Sequence, residues 1–153
     1  MSLITQFAKY AAAFEEAYKS DDWTLVEPYF AEDAVYEVAG MPAPLGGRFA
    51  GREAILACFK SVLDGFDRKF DSRAIALVAG PREQGRSVWI RGSAVYRSSR
   101  APKLAFELEE TTTFDDQGRI ERLEDHYDAD TIRAVTAYAS AHGKALGLAS
   151  TTP

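Results

Sequence analysis

Apolar residues recur at steps of three and four from Leu3 through Phe7, Tyr10, Ala11, Phe14 and Tyr18, with Lys9, Glu15, Glu16 and Lys19 falling between them. That spacing predicts a one-sided amphipathic helix. Ser20, Asp21 and Asp22 are placed to end it and to cap whatever follows. Trp23 to Phe30 carries a shorter helical pattern, but Pro28 has no amide hydrogen to give, so only a short connector helix is expected there. Ala34 to Val38 reads as a strand, and Ala39 to Gly47 (AGMPAPLGG) as a Pro/Gly loop or edge segment. Ile55, Phe59, Val62 and Phe66 form a second helical stripe, with Gly65 near its C-terminal cap.

After Phe66 the period changes to two. Phe70–Val78, Val88–Arg97, Lys103–Phe114 and Arg119–Asp128 read as four successive strands, separated by GPREQG, SSRAP and DDQG. Connections this short predict an antiparallel meander. A last helix is expected from Thr131, carried by Ile132, Val135 and Tyr138 and reaching at least His142. Helices first and a long curved sheet afterwards define an α+β layer arrangement, with the buried sheet face against the helices and a conical cavity between them. Residues 1–146 are expected to form one domain and 147–153 a loose tail.

Composition narrows the function. The 153 residues are 46% apolar and 27% charged with net charge −5, enough for one ordinary core. The lack of excess Lys and Arg argues against nucleic acid and a polybasic membrane surface as partners. One cysteine, Cys58, excludes an intramolecular disulfide, and with only His126 and His142 beside it a typical structural zinc site is not expected. No secretory signal or spanning helix is read at the N-terminus, so a cytoplasmic protein is expected. No phosphate loop, nucleophile elbow or metal-ligand spacing is present, and no cofactor is expected. Aromatic residues reach 12%, which calls for an aromatic core or a ring-lined pocket.

The strand Lys103–Phe114 holds the most pointed chemistry. Leu104, Phe106, Leu108, Glu110, Thr112 and Phe114 share one face, so Glu110 is a carboxyl in an otherwise apolar wall. Such a group neutralises or finds a donor; a purely architectural hydrogen bond to a neighbouring Tyr or Arg is the competing account. On the last strand Leu123, Asp125 and Tyr127 share a face, which would bring Asp125 onto the same concave wall as Glu110. Two carboxyls in one poorly hydrated cavity separate in pKa, leaving a base and a proton donor. His126 has the opposite parity. Both faces of Val88–Arg97 are compatible with burial; an inward Arg91 would hold an anion, and an outward one would be an interface or surface residue. Tyr18, Trp23, Phe30, Tyr36 and Phe59, with the inward strand residues, are candidates for the apolar lining of a small-molecule site.

Three segments, FEEAYKSDDWTLVEPYFAEDAVYEV, GREAILACF and TTTFDDQGRIERLEDHYD, together with the order of elements, resemble the NTF2-like superfamily, in particular its SnoaL-like and ketosteroid-isomerase-like branches, over residues 5 to 130. The resemblance implies a cone-shaped curved antiparallel or mixed sheet wrapped around N-terminal helices, here with an extra C-terminal helix. It also implies a hydrophobic pocket for an apolar ligand and a homodimer formed through the convex sheet face. The family's oxyanion-hole tyrosine falls on Phe14 and its general-base aspartate on Val38, which argues against a steroid isomerase; its second oxyanion-hole acid falls on Glu110. An epoxide-hydrolase-like set is incomplete, with Asp125 and Arg91 matching and Ser93 near the remaining aspartate. The expectation is therefore a cofactor-independent isomerase, cyclase or dehydratase. Asp125, Glu110 and Arg91 would be catalytic, and Phe14, Tyr18, Trp23, Phe30, Tyr36, Phe59, Phe106, Leu108, Thr112, Leu123 and Tyr127 would bind substrate. A non-catalytic binding or dimerisation module is the alternative.

Overall fold

The computed structural model describes residues 2–41 and 46–148. Helix α1, Leu3–Ser20, starts where the Ser2 side chain accepts from the Thr5 amide, and it ends where Asp21 turns left-handed and donates its own amide to Ala17. The Asp22 carboxylate then accepts from the Thr24 amide at 3.1 Å and starts the first of two single 3-10 turns, Trp23–Leu25 and Glu27–Tyr29. Pro28 is tolerated because it stands at the start of the second turn, where its missing amide hydrogen has no partner to lose.

Strand β1 runs Phe30–Ala39, four residues earlier than the alternation predicts, because Phe30 already pairs with Ile120 and a bulge separates it from the regular ladder at Val35. Gly47–Ala50 forms β2, antiparallel to β1. It lies within or beside the stretch read as a Pro/Gly loop; its four mostly exposed residues carry no apolar alternation to announce a strand. Pro42 to Leu45 lie outside the described residues. Helix α2 spans Arg52–Gly65.

The remaining strands are β3, Ser72–Gln84; β4, Ser87–Ser98; β5, Ala101–Phe114; and β6, Ile120–His126. Helix α3, Ala129–Leu146, follows with the Asp128 carboxylate capping the Thr131 amide at 2.7 Å. GPREQG was expected to be the turn after β3, yet the strand continues to Gln84 and reverses at Gly85 and Arg86. Pro81 is accommodated because β3 is an edge strand and its register shifts around Ala79.

The six strands form one mixed sheet in the order β2-β1-β6-β5-β4-β3, in which β1 and β6 are parallel and every other pair is antiparallel. The α+β fold with a C-terminal helix is thus as the sequence indicates. One face takes Tyr36 and Val38 from β1, Leu123 and Asp125 from β6, the even residues Leu104 to Thr112 from β5, and Ile90 to Tyr96 from β4. Rings cement it to the helices: Phe14 sits edge-on to Trp23 and Phe59, and Tyr10 edge-on to Phe30. The other face is a lattice of ion pairs, with Arg122 between Glu37 and Glu124, both at 3.0 Å. No described helix is long and apolar enough to cross a membrane.

Candidate functional site

The helices do not fill the hollow of the sheet. A cavity of about 270 Å³ remains, walled by α1, α2, α3 and the inner face of the strands. Phe14, Tyr36, Phe59, Phe106, Leu108, Leu123 and Tyr127 line it, with Glu110 and Asp125. The two acids are direct partners across the β5/β6 ladder, so their side chains leave the sheet side by side. Parity alone placed them on one wall, and the register places them opposite one another.

Asp125 is only 6% exposed. Its Oδ2 accepts a 2.6 Å hydrogen bond from the Tyr36 hydroxyl, whereas its Oδ1 has no partner. Thr112 Oγ1, buried two residues along from Glu110, has none either. Burial drives the Glu110 carboxyl well above the usual carboxylate range, and the charge of Asp125 drives it further. Asp125 is also raised by burial, with the neighbouring Glu110 side chain and then the Tyr36 hydroxyl offsetting part of the rise. Both carboxyls are therefore harder to ionise than they would be in water, and the pair holds its protons to higher pH than a solvated pair would. Tyr10 faces these acids from α1, and burial followed by their charges keeps its hydroxyl protonated. Cys58 also lines the cavity, but burial and the Asp125 charge push its thiol up to about 11, which suits packing and not nucleophilic attack.

A second polar cluster borders the same cavity. Asp67 Oδ2 accepts from Arg73 Nε at 2.9 Å and from the Tyr96 hydroxyl at 3.0 Å, and Arg73 Nη1 reaches Glu15 at 3.0 Å. Burial raises the Asp67 carboxyl, and the Arg73 charge opposes that rise. This cluster is internally satisfied. The acid pair with its free oxygen is not.

Four residues expected in the lining lie elsewhere. Tyr18 lends its ring to the Arg73 and Arg68 guanidiniums, 4.5 and 5.5 Å from its centroid. Trp23 packs behind Phe14 and Phe59 and donates its indole hydrogen to Asp21. Phe30 and Thr112 are fully buried, behind the cavity wall. Arg91 requires the largest correction. Its neighbours Ile90 and Gly92 take the inner face of β4, so its side chain points out, 39% exposed, against Glu107 at 3.3 Å and Glu109 at 3.7 Å. It cannot touch a molecule in the cavity. Residues the sequence reading did not place in the lining include Tyr10, Tyr96, Asp67 and Arg73. Tyr10 stands one turn before Phe14, which the sequence reading did place in the lining, whereas Tyr96 belongs to a strand whose inner face the sequence left open. Nothing in the sequence signalled the Asp67–Arg73 contact. Among the described residues, no three of His, Cys, Asp and Glu gather where they could hold a metal ion.

A curved mixed sheet wrapped on helices, with a C-terminal helix, is the NTF2-like architecture. The SnoaL-like domain family matches residues 11–144, and the chain belongs to that family. Among solved structures it resembles an NTF2-like protein of unknown function from Burkholderia pseudomallei, at 22% identity and a TM-score of 0.66 over 89% of this chain and 99% of that one. It also resembles TerC co-crystallised with polyporic acid, at 20% identity and a TM-score of 0.61 over 84% and 95%. A hypothetical protein with a ketosteroid isomerase-like fold from Catenulispora acidiphila, in complex with trimethylamine, matches at 16% identity and a TM-score of 0.61 over 86% and 92%. No curated protein sequence matches the chain. At these identities the solved structures bear on the fold alone.

Proposed function

We propose that the cavity takes an apolar small molecule bearing a carbonyl group and that the Asp125–Glu110 pair moves a proton on it. Asp125, as the carboxylate, accepts the proton from the carbon next to the carbonyl. Glu110, kept protonated by burial, donates a hydrogen bond to the carbonyl oxygen as that oxygen gains electron density. The resulting enolate takes the proton back from Asp125 at another carbon, attacks a second carbonyl of the same substrate to close a ring, or expels a β-hydroxyl that takes the proton from Asp125 and leaves as water, so isomerisation, cyclisation and dehydration share this first step. The observation that carries the reading is the Asp125–Glu110 pair, two carboxyls side by side in the cavity lining of which one oxygen, Asp125 Oδ1, has no partner in the protein. Val38, where the family resemblance puts the general base, lies directly beside Asp125 in the β1/β6 ladder; the acid stands one strand away from the position that lacks it.

Solvent deuterium exchange tests this without the native substrate. The protein in D2O, with cyclic ketones such as 1-indanone and 1-tetralone, should speed exchange at the carbon beside the carbonyl, read by proton NMR. Asp125→Asn should slow it by roughly a hundredfold or more. Exchange as fast in the variant as in the wild type would remove Asp125 from the chemistry. The alternative, a binding module without catalysis, is favoured by the absence of acid or hydroxyl at Val38 and Phe14; it gives ketone binding with no exchange in either protein. A homodimer through the outer sheet face belongs to the same proposal, and light scattering would read it as twice the 16.8 kDa chain mass.

A further inference from the structure

Neither a left-handed backbone nor lack of room requires glycine at Gly92. It stands inside β4, paired with Leu77 on one side and Leu108 on the other, where a β-branched residue would be favoured and glycine weakens the strand. Its backbone is not left-handed. A Cβ built on it would meet only the Ala76 carbonyl oxygen at 3.6 Å and the tip of Ile90 at 4.0 Å, both ordinary contacts. It is buried and lines the cavity, so the missing side chain leaves open space on the ligand's side. A glycine inside a strand marks a bulge, a bend or a place where a ligand approaches the backbone; the β3 register does shift just past its partner Leu77, but the open space over Gly92 lies on the cavity side.

The space over Gly92 leads to an unusual surface. Ile75 belongs to the cavity wall and is also 49% exposed, and Leu77, on the same face and paired with Gly92, is 55% exposed. With Val78 at 50%, three of the four exposed large apolar residues among those described fall on this one stretch of β3. Monomeric surfaces seldom keep such residues together without a use. The patch is continuous with the cavity through Ile75 and Gly92, so the ligand of the cavity is the occupant to which it fits.

We propose that Gly92 holds open an apolar channel from the cavity to Ile75 and Leu77, and that the ligand is an amphiphile. Its compact polar head sits at Asp125, and its apolar tail is too long for the cavity and leaves along that channel. This rests on the reading of the cavity as a small-molecule site. It makes Gly92 a specificity-determining residue for tail length.

A series of 4-alkylphenols, methyl to octyl, tests it by calorimetric titration of the full chain. The ring suits the aromatic walls, and the hydroxyl can donate to Asp125 Oδ1. A single benzene ring fits a cavity of roughly 150 Å³, so the cavity should be filled at about the butyl homologue. In the wild type, affinity should keep rising past butyl, by roughly two- to fourfold per methylene. In Gly92→Val, which suits a strand and should melt no lower than the wild type, the gain from butyl to octyl should vanish. Leu77→Ser, which keeps glycine in place and removes the channel's floor, should cut the same gain and serves if the valine variant fails to fold. A wild-type series flat beyond butyl overturns the inference while leaving the cavity reading intact, as does a channel used only for entry. Failure of every homologue to bind overturns both. A second copy of the chain seated on Ile75 and Leu77 would also overturn it, giving a flat series and a dimer that Leu77→Ser splits.

Discussion

Replacing Glu110 with Gln keeps the side chain's size and removes its titration, which isolates what burial does to this acid. In the unfolded chain a glutamate releases its proton near pH 4.3. In the folded protein Glu110 holds that proton well above the ordinary value, because burial and then the Asp125 charge disfavour the anion. Its contribution is therefore fully present below the unfolded pKa and is lost as pH rises through the folded one. Between those limits the folded state binds one more proton than the unfolded, and stability falls by about 1.4 kcal/mol for each pH unit. Across pH 5 to 7 this amounts to about 2–3 kcal/mol if Glu110 stays protonated throughout. Asp67 is raised as well, but it titrates in both proteins and cancels in the comparison, whereas Asp125 is coupled to Glu110, so the measured difference belongs to the pair. The capping and ion-paired acids Asp21, Asp64, Asp115 and Asp128 are lowered, act with the opposite sign in more acidic solution, and cancel too. Urea unfolding of both proteins at pH 5, 6 and 7 measures the difference. The Gln variant should gain on the wild type at each step upward in pH. Parallel stability curves would refute the claim that Glu110 is held protonated in the cavity.

Tyr36→Phe removes the 2.6 Å hydrogen bond to Asp125. A bond to a charged acceptor contributes about 1.5–3 kcal/mol, so the Asp125 titration should move up by about one to two pH units. The acid limb of the deuterium-exchange profile should move with it, and an unmoved limb would contradict Asp125 as the base. Asp67→Ala leaves Arg73, 8% exposed, with Glu15 as its one acid partner among the described residues; denaturant unfolding should show a loss of about 3 kcal/mol, and a loss below about 1 kcal/mol would mean that the cluster is dispensable. Arg91→Ala breaks only half-exposed pairs with Glu107 and Glu109. It should change stability by less than about 1 kcal/mol and leave exchange unchanged; a tenfold slower exchange would place Arg91 back in the site.

The particular residues show why some of this was legible in the sequence. Strict alternation in Leu104 to Phe114 and in Leu123 to Tyr127 fixes which way Glu110 and Asp125 point, because an apolar face of a strand has one side to turn to the core. Alternation failed for Arg91 because both sets on β4 are mixed: Trp89 and Val95 against Ile90 and Tyr96. The parallel pairing of β1 with β6 joins segments some ninety residues apart, so no local pattern signals it. It is also what sets Tyr36 and Val38 beside Leu123 and Asp125. Rings were harder still. A helical stripe marks the buried face of α1 but not the depth of each residue, so Phe14 and Tyr18 were both expected in the lining; Phe14 is there, and Tyr18 lies against two arginines. Phe30 was expected in the lining, yet it is sealed behind Tyr10 and Phe59.

The central claim is that Glu110 and Asp125 form one proton-sharing pair in the cavity. Carboxyl-carbon NMR across pH 3 to 9, assigned through Glu110→Gln and Asp125→Asn, measures it most directly. The account expects two linked steps, both above the ordinary carboxylate range, with removal of either acid shifting the titration of the other. Two independent titrations near pH 4 would contradict it.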